Sequence, residues 1–276
     1  MIFVYKKWDA FCKALKDKEI QSIPAKNIRE NTKKYLVLKH DVETDVSKAY
    51  KMAKIEHKYG HKGSYYVQAY LLEKEENVKM LKEMAELGHE ISYHYDVLDS
   101  QKGDIQKAIT EFEKNKNMFE ENGFILKTLC QHGNPVVERV GYHSNRDFFR
   151  SPLVQEKYPD LSDIMVNFKE KHKTDYVYFS DAGRKFKMIF DPINNDIVNS
   201  DDKNIVYQDL NALLKVIEKD KAYIISTHPH RWSDSAFIYI LKATAFKIIK
   251  FVAKILMKIP FIKKIMSRYY YLAKKI

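Results

Sequence analysis

Tyr35-Leu36-Val37-Leu38-Lys39-His40-Asp41-Val42-Glu43 is the stretch on which the reading of this chain turns. It opens as an apolar run of β type and ends in ionisable side chains, with no glycine or proline to bend it. A short apolar run between polar flanks suits a strand of a parallel sheet covered on both faces. The charged residues then stand at the carboxyl end of the strand, where open and closed parallel α/β folds carry their chemistry. Side chains alternate along an extended chain, so Asp41 and Glu43 point one way and His40 the other. Two carboxylates on one side can hold a cation or divide into a base and a ligand. A charged loop after a strand is the plainer alternative.

Outward from this stretch, β and α patterns alternate. Strands are expected at 63–67, 89–94, 127–131, 176–180 and 222–227. Helical spacing marks 8–18, 47–59, 75–87, 104–122 and 208–219, and Gly60, Gly88 and Gly123 each stop a helix. Asp104 is a natural N-cap. Residues 133–174 hold Pro135, Pro152 and Pro159 and little periodicity, so loops and short helices are expected there. Such alternation predicts a parallel sheet with right-handed crossovers, either a (β/α) barrel, complete or not, or an open doubly wound sheet. No GxGxxG or Walker pattern follows a strand, which leaves a nucleotide site without support.

The 276 residues are 45% hydrophobic, enough for a sizeable core. Cys12 and Cys130 lie far apart and outside any CxxC pair, which argues against a disulfide framework or a thiolate zinc site. The opening Met1-Ile2-Phe3-Val4-Tyr5-Lys6-Lys7 lacks the apolar core of a signal peptide, and a cytoplasmic protein is expected. The net charge of +11 is unevenly placed: residues 236–276 hold ten Lys and Arg and no acid, leaving 38 basic against 37 acidic residues elsewhere.

The polar residues fall in a pattern. Asp41 and Glu43 follow the first strand, His94 ends the third, His132 follows the fourth, Asp181 the fifth and His228 the sixth. All stand at carboxyl ends of parallel strands and so can meet at one mouth. A single strand-end histidine is more often structural, but the recurrence favours a site. Carboxylate and imidazole donors suit Zn²⁺ or a similar divalent ion in an open hydrolytic site, with the remaining groups as base and acid.

On these residues the chain resembles the polysaccharide deacetylase family, the NodB-homology group of carbohydrate esterases. The matching segments are Leu38–Glu43, Gly88-His89-Glu90-Ile91-Ser92-Tyr93-His94-Tyr95, Cys130-Gln131-His132-Gly133 and Thr227-His228-Pro229-His230-Arg231-Trp232, in family order. The resemblance implies a distorted (β/α) barrel of about seven strands over residues 1–235. It also implies metal-dependent removal of an N- or O-acetyl group from a sugar, such as a precursor of lipopolysaccharide or capsule. By this likeness Asp41 is the general base, His228 the acid that protonates the leaving amine, and Glu43 and His94 are metal ligands. Asp181 or Arg184, in Ser180–Arg184, orients and tunes the base or acid.

Two departures bear on activity. The family's second metal histidine falls at Leu98, which cannot bind a metal, and the adjacent Asp-Asp pair is replaced by Asp41-Val42-Glu43. His132 is the first choice for a third ligand, followed by Asp96 and then His40. His89 is expected to be structural, and His57, His61, His143 and His172 exposed. Tyr93, Tyr95 and Trp232 are candidates to stack on a sugar face. A catalytically weak or inactive sugar- or partner-binding relative is the competing reading, and a metal hydrolase of non-sugar amides a third.

Residues 236–259 read as a basic amphipathic helix, with Lys247, Lys250, Lys254 and Lys258 on one stripe and Phe251, Ile255, Leu256 and Ile259 beside it. The lysines are too many for a spanning helix, so the tail at 236–276 is expected to lie on an anionic membrane surface or pack on the barrel. Basic residues confined to the tail, with no recognition motif, argue against nucleic acid.

Overall fold

A computed structural model describes residues 2–134, 137–193 and 205–245. In chain order the strands are β1 (Tyr35–Val42), β2 (Ser64–Val67), β3 (Glu90–Tyr95), β4 (Thr128–Gln131), β5 (Ser162–Asp163), β6 (Val177–Ser180), β7 (Phe186–Ile189), β8 (Ile205–Tyr207) and β9 (Ala222–Thr227). The helices are α1 (Tyr5–Asp17), α2 (Val46–Lys58), α3 (Glu75–Glu86), α4 (Val97–Ser100), α5 (Ile105–Glu121), α6 (Arg146–Arg150), α7 (Pro152–Lys157), α8 (Phe168–His172) and α9 (Leu210–Leu214).

The strands form one nine-stranded sheet in the order β5-β4-β3-β2-β1-β9-β6-β7-β8. The seven from β5 to β6 run parallel, and β7 and β8 extend the sheet as antiparallel strands. The expected count of about seven thus holds for the parallel portion. The sequence reading lacks β5, β7 and β8. Among the described residues no ladder joins β5 to β6, but the Tyr176 hydroxyl donates to the Ile164 carbonyl at 2.8 Å across that seam.

Strand β1 is central and wholly buried. Its alternate residues serve two cores. Leu36 and Leu38 face outward with Phe179, Tyr223 and Ile225, beneath Trp8, Phe11 and Leu15 of α1 and Leu213 of α9. Tyr35 and Val37 face inward with Tyr66, Tyr178 and Ile224, so the concave side is itself packed at its amino end. A third cluster joins β2 and β3 to α3, α5 and α6 through Tyr93, Tyr95, Phe112 and Phe148. Burial of each such large side chain contributes roughly 1.5–3 kcal/mol.

Helix limits follow local chemistry. Asp45 caps α2 by accepting from the Ser47 N–H at 3.1 Å, and Asp104 caps α5 through the Lys107 N–H at 3.1 Å. Gly123 ends α5 at φ +89°, a conformation that costs glycine least. The helix expected at 208–219 is shorter, since α9 covers only Leu210–Leu214.

The described part of the tail is a helix at 236–245. Its Tyr239 is buried against Phe3, with ring centroids 5.9 Å apart, while Phe237, Ile240 and Leu241 lie exposed. The reading of 246–259 and beyond lies outside the described residues. Among the described residues no helix is long and apolar enough to cross a membrane.

Candidate metal-dependent hydrolytic site

The alternation of β1 carries into the site. Lys39 and Asp41 face the concave side. His40 turns outward, where it stacks on Tyr65, meets Glu56 Oε1 at 2.8 Å and lies 2.9 Å from Thr227 Oγ1. It is therefore a structural residue and no third ligand. Glu56 also accepts from Trp8 Nε1 and the Tyr65 hydroxyl, so this buried carboxylate ties α2 to α1, β1 and β2.

Glu43, His94 and His132 come together. His94 Nε2 lies 3.2 Å from His132 Nδ1, and that nitrogen lies 3.3 Å from Glu43 Oε1. The three ligand atoms fall within 4.8 Å of one another. His94 Nδ1 is 3.0 Å from the Cys130 carbonyl, which can only accept. The proton therefore sits on Nδ1 and leaves the Nε2 lone pair facing the cluster. Burial pushes His94 down to about 3, so the imidazole is neutral, as a ligand must be. Burial alone would raise Glu43, but His132, His228 and His230 around it hold its carboxyl well below the usual range.

Asp41 lies beneath this cluster. Lys39 Nζ holds both of its oxygens, at 2.5 and 2.6 Å, and also reaches Ser226 Oγ at 3.2 Å. Burial opposes ionisation of Asp41. The Lys39 ammonium, bonded to both oxygens, outweighs it and lowers the carboxyl to about 2. The same pairing raises Lys39 well above its ordinary value against its own burial.

His228 faces Asp41 Oδ2 and Glu43 Oε1 through Nε2, each at 3.7 Å. Its Nδ1 donates to Asp181 Oδ1 at 2.5 Å, and its backbone N–H to Oδ2 at 3.0 Å. Asp181 is fully buried. Arg231 Nη1 donates to its Oδ1 and to its carbonyl, both at 2.7 Å, in a turn closed from His228 to Trp232. The Arg231 guanidinium, with the hydrogen bonds from His228, outweighs burial and lowers Asp181. The guanidinium on Asp181 is thus that of Arg231, a residue within the Thr227–Trp232 segment to which the sequence reading gave no role. Arg184 meets Asp181 through its backbone N–H, 2.9 Å from the Asp181 carbonyl.

Lys39 was also unassigned, although alternation alone puts it on the side of Asp41 and Glu43. His230 adds a rim imidazole, with Nδ1 3.5 Å from Glu43 Oε2. Leu98 is buried in the cluster with Phe112 and Phe148. Asp96 belongs to neither group of potential ligands among the described residues. His89 is structural: it accepts from the Gly63 N–H at 2.9 Å and faces the Ala53 carbonyl at 3.1 Å. His61 is not exposed but buried between the Ser22 N–H and the Cys12 carbonyl. Tyr93, Tyr95 and Trp232 are core residues, so none offers a face to a sugar.

The donors suit a divalent ion. Asp41, Glu43 and Asp181 face two fixed cations, Lys39 and Arg231, so a negative charge remains in a partly buried mouth. Two imidazoles and a carboxylate are a known hydrolytic donor set. A second group, Asp41, His94 and Cys130, shares His94. An ion there would compete with the Lys39 ammonium, and burial pushes the Cys130 thiol well up. Glu43, His94 and His132 are the better set.

No family model and no curated protein matches the chain. Solved structures do. The catalytic domain of a peptidoglycan N-acetylglucosamine deacetylase from Eubacterium rectale is 14% identical, with a TM-score of 0.45, over 78% of this chain and 86% of that one. A CE4 family pseudoenzyme from Bacillus anthracis is 12% identical, with a TM-score of 0.43, over 83% of this chain and 66% of that one. The peptidoglycan deacetylase PdaC from Bacillus subtilis, as a mutant, is 9% identical, with a TM-score of 0.36, over 79% of this chain and 97% of that one.

Proposed function

We propose that this protein is a metal-dependent hydrolase that removes an acetyl group from a sugar of a cell-surface glycan precursor. One observation carries the reading. The Glu43–His94–His132 donor set stands beside a buried carboxylate, Asp41, and an Asp181-backed imidazole, His228. A divalent ion held by those three residues, Zn²⁺ by the chemistry of the donors, would supply Lewis acidity to an acyl oxygen and to water.

The chain's own groups do the rest. Asp41, ionised at neutral pH, accepts the proton of the attacking water. It has lone pairs to spare although Lys39 donates a bond to each oxygen. His228 carries a proton on Nδ1 toward Asp181, which leaves Nε2 to pick up a proton and pass it to the departing sugar nitrogen. Arg231 keeps Asp181 charged and in place.

Acetate release from acetylated amino sugars tests this. Asp41→Asn keeps the volume but cannot take a proton, so turnover should vanish with metal and fold retained. His228→Ala should slow turnover by roughly 10²–10⁴-fold, the range for a lost acid or base. Full activity in either variant would overturn the assigned role.

A second reading, a sugar-binding protein without turnover, draws on the Lys39 clamp, since an ion-paired carboxylate at about 2 is a weak base. Saturable sugar binding with no acetate release from a metal-loaded protein would favour it. For the tail we propose an anionic membrane surface as partner. Phe237, Ile240 and Leu241 project from the helix at 236–245, and the adjoining groove is lined by Lys48, Lys51, Lys54, Lys58 and Lys242 with Asp9, Asp45 and Asp234, so it keeps a positive excess.

A further inference from the structure

His132 lies at the end of β4, where the chain leaves the sheet, and it needs an anchor. Its backbone N–H donates to the Tyr95 carbonyl at 2.7 Å, and its own carbonyl accepts from Asn145 Nδ2 at 2.9 Å. Asn145 is fully buried, and its amide is shared with one other residue. Oδ1 accepts from the Asp99 N–H at 2.9 Å, and Nδ2 donates to Asp99 Oδ2 at 2.8 Å. Both amide hydrogens and the amide oxygen are thus committed, one hydrogen to His132 and the rest to Asp99.

Asp99 is held just as firmly. Its carboxylate, 1% exposed, takes a bidentate pair of bonds from Arg139 at 2.8 Å each, and one from the Tyr142 hydroxyl at 3.0 Å. Arg139 also donates to the Asn134 carbonyl, two residues past His132, at 2.8 Å. A buried carboxylate with every partner in place is stiff, because any movement leaves a polar group unpaired. Asp99 lies on α4, one residue beyond Leu98.

We propose that Asp99 and Asn145 are positioning residues for His132. Helix α4 then contributes to the centre not a ligand but the anchor of a ligand carried elsewhere. The proposal rests on the metal reading given above. The geometry explains how a chain with Leu98 turned into the core can still present three donors. The third donor comes from the β4 end, and its backbone is fixed on both sides, by Tyr95 of β3 and by Asn145. Asn145 is the narrow point. An aspartate there would set a carboxylate against Asp99, and an alanine would leave the His132 carbonyl and the Asp99 N–H without partners.

The test is Zn²⁺ affinity of the purified full chain, measured by chelator competition, with circular dichroism to confirm folding. Wild type should bind one ion, and His132→Ala should lose it. Asn145→Ala should weaken binding about 10–100-fold, the effect typical of losing an outer partner of a metal ligand. Leu15→Ala, a core change under α1 in the outer cluster that holds none of these residues, lowers stability alone and should keep wild-type affinity. That contrast separates positioning from general loosening. Should Asn145→Ala fail to fold, Arg139→Gln loosens the strap from its more exposed end and must weaken binding in the same direction. Wild-type affinity in a folded strap variant, with His132→Ala deficient, overturns the proposal and spares the metal site. Wild-type affinity in His132→Ala as well removes both.

Discussion

Asp41 is asked to stay charged in a buried place and still accept a proton. Lys39 settles the first demand by gripping both oxygens, and the pair is matched in charge and largely buried. Removing one partner of such a pair strands the other. Lys39→Met should therefore cost about 3–5 kcal/mol, read as a lower urea midpoint. Combining it with Asp41→Asn should restore much of that loss, because no charge is then left unpaired. A Lys39→Met variant as stable as wild type would show that the pair contributes little. At this scale much of the site was legible. Recurrence at strand ends pointed to Asp41, Glu43, His94, His132, Asp181 and His228, and the structure gathers them at one mouth. Lys39 obeys the same alternation and was overlooked because a lysine at a strand end reads as a solvated charge. That Arg231 reaches Asp181 depends on how two loops fold together, which spacing along the chain does not encode.

Strand β3 carries two histidines at opposite ends of one buried run, His89 just before it and His94 within it. Burial lowers His89 to about 4 and His94 to about 3, from an ordinary 6.5. Both are neutral in the fold, while the unfolded chain binds protons below 6.5. The unfolded state therefore holds more protons across that window, and stability falls as pH falls from about 6.5 toward 4 and 3. Asp41, lowered from 3.8 to about 2, adds its own loss only below about pH 4. Urea midpoints at pH 7.5 and pH 5 should show the higher value at pH 7.5, and a flat profile would contradict the neutral histidines. The longer elements were legible because their patterns are long: β1, β3 and β9 are buried on both faces, and α2, α3 and α5 have helical spacing. The others carry too little pattern. Strand β5 is the two polar residues Ser162-Asp163, and β8 exposes Ile205 and Val206. The antiparallel pair β7–β8 follows from chain reversal and pairing on the edge of β6, which periodicity does not reveal.

For the whole molecule, the uneven charge predicts a division of labour between a nearly neutral body and a basic tail. Deleting residues 246–276, which hold nine of the tail's ten basic residues, should weaken binding to vesicles rich in anionic lipid, with the body still folded. Binding by the full chain should weaken as salt rises, since attraction at this range is screened over about 8–10 Å. Equal vesicle binding by the shortened chain would contradict the tail's role. The cut is placed after 245 because Tyr239 packs against Phe3 and belongs to the body. The proposed hydrolysis depends on a metal held at the mouth of the sheet, where Glu43, His94 and His132 converge from the carboxyl ends of three strands. A crystal grown with Zn²⁺ and measured at the zinc absorption edge tests it most directly. One strong anomalous peak is expected about 2.0–2.1 Å from His94 Nε2 and His132 Nδ1, with Glu43 at similar range. A peak bound by other residues, or none in a zinc-saturated crystal, would contradict it.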